Sequence, residues 1–60
     1  LNVFVEAPRE RMNDVIAKHA GVRELVDNGW VHLHQIGDDG SIARYAGGLR
    51  WEPVAGASPR

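Results

Sequence analysis

Hydrophobic and polar positions alternate along residues 1–6, where Leu1, Val3 and Val5 occupy every second position. This period of two is the pattern of a strand that is buried on one side. Phe4 lies on the other, more polar side, so we expect partial cover there as well. The segment is predicted to be the first strand of a sheet.

The spacing becomes helical after Pro8. Proline is tolerated at the first helical position and Glu10 complements the positive end of the helix dipole, so we expect a helix to begin at about Pro8. The expected inward stripe recurs at i, i+3, i+4, i+7 and i+8 and consists of Met12, Val15, Ile16, His19 and Ala20. One amphipathic helix laid on a sheet is therefore predicted, with Asp14 and Lys18 as an exposed pair four residues apart.

Gly21 is expected to end this helix or to tighten the chain into a second short helix. Val22, Leu25 and Val26 repeat the helical spacing, and the Asn-Gly pair at residues 28–29 offers a left-handed cap. The helical part is therefore predicted to be broken in two.

Residues 30–36 are rich in β-prone side chains and are predicted to form the second strand. Residues 37–40 are expected to be a hairpin loop, because Asp-Gly readily adopts positive φ. Residues 41–45 then return as the third strand. After a Gly-Gly break, Leu49 and Trp51 are expected to pack back onto the body.

The order β-α-(α)-β-β predicts an α+β fold, a three-stranded sheet with helices packed on one face. If the first two strands are parallel, the helical crossover between them should be right-handed. Either the second or the third strand can be central, and the pattern does not choose. Residues 1–54 are assigned to one module, and residues 55–60 have the small, polar composition of a frayed tail.

Length and charge limit what the chain can do. A chain of 60 residues makes one domain, and it buries only about 60% of the surface that the unfolded chain exposes. Because there is no cysteine, disulfides and thiolate chemistry are excluded, so a larger host protein or an oligomer is expected to stabilise the fold.

The net charge of the chain is -1, whereas a nucleic-acid binder carries an excess of basic residues. The apolar runs are too short to cross a bilayer, and a start at Leu1 suggests a piece of something longer.

The histidines are the candidate metal ligands. His32 and His34 share a strand face at a spacing known for metal sites, and His19 could be a third ligand. Without cysteine or a carboxylate in the same strand, two histidines on a partly covered sheet face are the favoured interpretation. The sequence therefore assigns no metal ligand, cofactor-binding residue or catalytic residue.

Other polar motifs fit structural roles. Asp38 and Asp39 are explained by the hairpin, since the further oxygen ligands of a calcium loop are missing. No serine is placed for a nucleophile and base pair. Trp30 and Trp51 could be interface anchors, but core or lid residues are the favoured interpretation in a protein short of core.

Three blocks, taken together, resemble a known family: residues 3–10, residues 22–33 and residues 51–54. They are similar to the C-terminal segment of the DabA-like inorganic carbon transporter subunits, a large bacterial family. The resemblance covers nearly the whole chain but only a small part of such a protein.

The resemblance implies a host of many hundreds of residues with a zinc site like that of β-carbonic anhydrases. It also implies a place at the cytoplasmic face of the inner membrane and a membrane partner subunit related to antiporter components. The zinc ligands of the family include cysteines and lie upstream, so none is carried over here.

These observations predict a non-catalytic structural module of such a subunit, with Phe4, Trp30 and Trp51 as buried anchors against the host. Two alternatives remain. The chain could be a free-standing α+β interaction module that dimerises through a strand edge or the Trp30 face, or a small metal-binding protein that uses its histidines.

Overall fold

The computed structural model describes residues 1–54. One strand comes first, two helices follow, and three further strands come after them. The elements are β1 (Asn2–Glu6), α1 (Arg9–Lys18), α2 (Ala20–Asp27), β2 (His32–Ile36), β3 (Ile42–Gly47) and β4 (Arg50–Pro53). The tail predicted at residues 55–60 lies outside the described residues.

The strands form a single mixed sheet in the order β1-β2-β3-β4. β1 runs parallel to β2, with Val3 opposite Leu33, and the two later pairs are antiparallel. A parallel neighbour requires a long crossover, which α1 and α2 supply. Of the two strand orders that the sequence left open, the structure has the one in which the second strand lies between the first and the third.

The α+β class is confirmed, but the predicted number of three strands is wrong. Residues 50–53 form a fourth strand, β4, in which Trp51 lies opposite Tyr45. The turn before it contains Gly48 at φ 58° and Leu49 at φ 61°. The Gly-Gly pair indicated a break, but leucine rarely adopts positive φ, so Leu49 did not indicate a hairpin turn at this point.

The helical part is broken in two as predicted, but at a different residue. Pro8 precedes α1, and its carbonyl accepts hydrogen bonds from the amides of Arg11 and Met12. The break lies at His19, which is extended at φ -117° and ψ 97°, whereas Gly21 lies inside α2. The carbonyl of His19 accepts from Arg23 N–H and so begins the second helix at once.

The predicted Asp-Gly hairpin between β2 and β3 is confirmed. Gly40 has φ 84°, a conformation that side chains disfavour. Gly37 N–H donates to Ser41 O at 2.8 Å and Gly40 N–H donates to Gly37 O at 3.0 Å, which closes the loop. The strand boundaries shift slightly from those predicted, since β2 begins at His32 rather than at Trp30.

Few side chains are buried. Among the described residues, the buried apolar side chains are Met12, Ile16 and Ala43. Of the predicted inward stripe, Val15 is 42% exposed, and His19 and Ala20, which lie beyond the end of α1, are exposed. Within residues 1–54, neither helix combines the length and apolar composition needed to span a bilayer.

Candidate functional site

An open apolar groove of about 240 Å³ lies between the two helices and the first two strands. We call it the helix-side groove, and its lining residues are Val5, Ala7, Arg11, Met12, Val15, Ile16, Val22 and Leu33. Arg11 is the one charged residue in this set. The groove is smaller than the roughly 300–1,000 Å³ typical of small-molecule pockets. Its size and apolar lining suit the side chains of another polypeptide segment.

Local sequence patterns explain the groove. Alternation along β1 and β2 puts Val5 and Leu33 on the face that α1 covers. On α1, the spacing of four residues turns Met12 and Ile16 inward. Val22, which is 37% exposed, comes from α2. The groove is thus the part of the core that this chain leaves open.

Gln35 is a buried polar residue on the helix-covered face and is 6% exposed. Its Nε2 donates to the carbonyl oxygen of Ala7 at 2.9 Å, and its Oε1 accepts from Arg9 Nε at 3.1 Å. These bonds satisfy the amide that β2 buries and fix the start of α1 on the sheet. The arrangement is a structural clamp, because both polar ends of Gln35 are occupied.

The opposite face of the sheet carries an aromatic stack. The rings of Phe4 and His34 lie 4.3 Å apart, with an angle of 14° between their planes. Nδ1 of His34 is enclosed and has no hydrogen-bond partner among the described residues. Phe4 remains 54% exposed, so this face is only partly covered by the chain itself.

The structure does not assemble the three histidines into a metal site. His34 stacks on Phe4, His32 is exposed at the start of β2, and His19 is exposed at the break between the helices. Within residues 1–54, no group of three or more His, Cys, Asp or Glu side chains could hold a metal ion. The zinc site that the resemblance implies for the host uses cysteine ligands, and this sequence has no cysteine. The side chains of this chain therefore do not fit that site.

The two tryptophans have different environments. Trp51 is half-buried, donates from Nε1 to Asn13 Oδ1 at 2.7 Å, and meets the ring of Tyr45 edge-on at 5.2 Å. Trp30 is 71% exposed, so of the two interpretations favoured for it, a core or a lid residue, burial in the chain's own core is wrong. Its turn position explains the exposure, since Trp30 N–H donates to Asn28 Oδ1 before β2 begins. An anchoring role for Trp30 and Phe4 against a host stays a prediction.

Polar side chains at the β2–β3 hairpin are engaged with one another. Asp39 Oδ1 accepts from Ser41 Oγ at 2.6 Å and from Ser41 N–H at 3.0 Å. These bonds favour the charged carboxylate and hold the pKa of Asp39 below its ordinary value. Ser41 therefore serves the turn, and its hydroxyl donates to a carboxylate whose lowered pKa makes it a weak base.

Sequence reasoning missed the roles of Gln35 and Arg9. A signal was available for Gln35, because it is a lone polar residue in register with Val31 and Leu33 on the apolar face of β2. A polar side chain at such a position needs internal partners. No signal pointed to Arg9, because its contact depends on where α1 lies on the sheet.

Comparison with known proteins gives one consistent result. A family model described as "Probable inorganic carbon transporter subunit DabA" matches residues 1–31. No solved structure gives a significant match to the chain.

Curated relatives match over most of this chain and carry the same description. The protein from Ruegeria sp. (strain TM1040) is 52% identical over 52 residues, which are 85% of this chain and 6% of the relative. That from Rhodopseudomonas palustris (strain BisB5) is 48% identical over 64 aligned positions, covering 100% of this chain and 8% of the relative. That from Acidithiobacillus ferrooxidans (strain ATCC 53993 / BNL-5-31) is 53% identical over 51 residues. The chain therefore spans less than a tenth of the length of these relatives.

Proposed function

Since the chain belongs to the family of probable inorganic carbon transporter subunits DabA, we propose that it is a non-catalytic structural module of such a subunit. The module supports inorganic carbon uptake by completing the fold of the subunit. Its own side chains take no part in the transport chemistry.

The exposure of large apolar side chains carries this proposal. The set is Leu1, Phe4, Val15, Val22, Leu25, Trp30 and Leu49, each at least 37% exposed. Small domains are marginal because they bury little surface. Val15 and Val22 line the helix-side groove, and contiguous exposed apolar surface of this kind marks an interaction site. Packing against the remainder of a longer subunit would bury these side chains and stabilise the module.

The polar groups of the described residues support a non-catalytic role. Gln35 is held by Arg9 and Ala7, and Ser41 is held by Asp39. A catalytic site needs a nucleophile or a base that converges on a pocket, whereas the helix-side groove is lined by apolar groups and Arg11.

The remaining parts of the proposal concern the host and follow from the family resemblance. The module lies at the C-terminal end of the subunit, and the subunit carries its zinc in a carbonic-anhydrase-like site upstream of the module. The subunit lies at the cytoplasmic face of the inner membrane and works with an antiporter-like membrane subunit. The net charge of -1 argues separately against a nucleic-acid partner of the module.

Bicarbonate uptake by cells that express a full-length subunit containing this module tests the proposal. Two readings are taken for each variant: the amount of folded subunit and the uptake per folded subunit. Deletion of residues 1–54 and the variant Trp30→Ser should lower the amount of folded subunit. The matched variants His32→Ala, His34→Gln and Asp38→Asn should leave uptake per folded subunit unchanged.

A loss of uptake per folded subunit in a histidine variant would show that the module takes part in the chemistry. Unchanged folding after the deletion would show that the subunit does not need the module. Sedimentation of the chain alone tests the free-standing alternative, because a stable dimer would favour an independent interaction module.

A further inference from the structure

The free edge of β1 carries unpaired backbone groups. Residues of a strand point their backbone groups alternately toward a neighbour and away from it. Leu1 faces β2, since its carbonyl accepts from His32 N–H at 2.7 Å and its terminal amino group donates to Trp30 O at 3.1 Å. The residues of β1 whose backbone groups point away from β2 are therefore Asn2, Phe4 and Glu6.

The free edge of β4 is built differently. Val54 N–H donates to Ile42 O at 3.0 Å, so the alternation turns the backbone of Trp51 and Pro53 outward. Pro53 has no N–H to offer a further strand, and β4 is only four residues long. Short edge strands that carry proline are protected against pairing. β1 is one residue longer and contains no proline.

Apolar surface flanks the β1 edge on both faces of the sheet. The helix-side groove, with Val5 in its lining, lies on one face. Phe4, which is 54% exposed, lies on the other, and Leu1 at the start of the strand is 80% exposed. Arg11 at the groove forms no ion pair among the described residues. A neighbouring strand would cover the apolar side chains and could supply a carboxylate to Arg11.

We propose that the β1 edge receives a fifth strand, supplied by an extended segment of the same subunit outside these 60 residues. The segment has apolar side chains at alternate positions that fill the helix-side groove, and an Asp or Glu that pairs with Arg11. Strand addition of this kind draws affinity from backbone hydrogen bonds and specificity from alternate side chains. The inference rests on the proposed function, because it identifies which surface of the module meets the host.

The source of the strand follows from the length of the relatives. The matched segment is 6% to 8% of their length, so more than nine tenths of each relative lies outside it. A segment of the same polypeptide binds intramolecularly, at an effective concentration that reaches the order of millimolar when the linker is short and flexible. A second copy of the chain has no such advantage.

Amide hydrogen exchange in the full-length subunit, resolved to single residues, tests the inference. Phe4 N–H points to the β1 edge, and Trp51 N–H points to the β4 edge. Phe4 N–H should exchange at least about 100-fold more slowly than Trp51 N–H if a strand covers it. Equal, fast exchange at both positions would overturn the inference, as would protection of Phe4 N–H that disappears on dilution, because dilution would separate a second copy.

A pair of variants separates the backbone bond from the side chain. Phe4→Ala removes the ring alone, whereas Phe4→Pro also removes the N–H. If the β1 edge faced solvent, proline would be tolerated at this position, and the two variants would yield similar amounts of folded subunit. We expect about a fivefold lower yield for Phe4→Pro, which corresponds to the loss of one hydrogen bond of about 1 kcal/mol. If deleting residues 1–54 lowers folded subunit while these two variants agree, the module's role stands and the fifth strand is wrong.

Discussion

Trp51 Nε1 donates a hydrogen bond of 2.7 Å to Asn13 Oδ1, which joins the last strand of the sheet to the middle of α1. The two residues are 38 positions apart in the sequence. This bond ties β4, an edge strand of four residues, to the helical layer. The fourth strand is therefore held by more than its backbone ladder.

Removal of this bond should destabilise the chain measurably. Trp51→Phe keeps an aromatic ring against Tyr45 but loses the N–H, and a cost of about 1 kcal/mol in unfolding free energy is expected. A double-mutant cycle with Asn13→Ala, measured by urea denaturation, should give a coupling of about 0.5–1.5 kcal/mol. Additive effects of the two substitutions would show that the bond contributes nothing.

Gln35→Met should weaken the attachment of α1 to the sheet. The variant fills similar volume but leaves the Ala7 carbonyl without its donor, so a loss of about 1–3 kcal/mol is expected. The amides of the first turn of α1 should also exchange faster with solvent. Unchanged stability together with unchanged exchange in that turn would show that the clamp is not needed.

The lowered pKa of Asp39 predicts that the stability of the fold decreases at acidic pH. Its pKa is held below the ordinary value of 3.8 by the hydrogen bonds from Ser41. A depressed pKa in the folded state means that the contribution is present above the unfolded pKa and is lost as pH falls through the folded pKa.

The melting temperature of the chain, followed from about pH 5 down to about pH 2, should therefore fall less steeply in Asp39→Asn than in the parent. Asp38→Asn is the matched control, because it leaves both bonds to Ser41 in place. If the melting temperature of Asp39→Asn falls with pH as steeply as that of the parent, the acid dependence comes from other groups.

Leu49→Gly should stabilise the β3–β4 turn. Leu49 has φ 61°, which costs an L-residue roughly 1–2 kcal/mol, while glycine loses about 0.5–1 kcal/mol of chain entropy. A net gain of up to about 1.5 kcal/mol in unfolding free energy is therefore expected. Leu49→Ala keeps the Cβ and should not gain, so equal stability of the two variants would argue against strain at this turn.

Local chemistry explains which parts of the fold the sequence predicted. Pro8 marks the start of α1, and the Asp-Gly pair marks the β2–β3 hairpin, because each needs only its neighbours to act. The break at His19 has no such signal, and the Gly-Gly pair before β4 marks a break without indicating that a strand follows. His19 is neither proline nor glycine, and Pro53 argues against a strand unless that strand lies at an edge.

The candidate site was harder to predict than the fold. The large ring of Trp30 suggested burial, but a ring is buried only where other side chains surround it, and its turn lies outside β2. The helix-side groove depends on how α1 and α2 lie over Val5 and Leu33, which periodicity alone does not give. A metal site would need His19, His32 and His34 to lie close together. His19 lies at the break between the helices and His34 stacks on Phe4, so the three side chains do not meet.

The central claim is that the apolar surface of this module is buried against the remainder of a longer subunit. The most direct measurement is hydroxyl-radical labelling of a full-length subunit, with Trp30 and Phe4 read out by mass spectrometry in the folded and the urea-unfolded protein. Trp30 is 71% exposed and Phe4 is 54% exposed in the module by itself. The account predicts that folding slows the labelling of both residues by about tenfold or more, as expected for anchors at a desolvated interface. Labelling of Trp30 and Phe4 at nearly the same rate in the folded and unfolded subunit would contradict it.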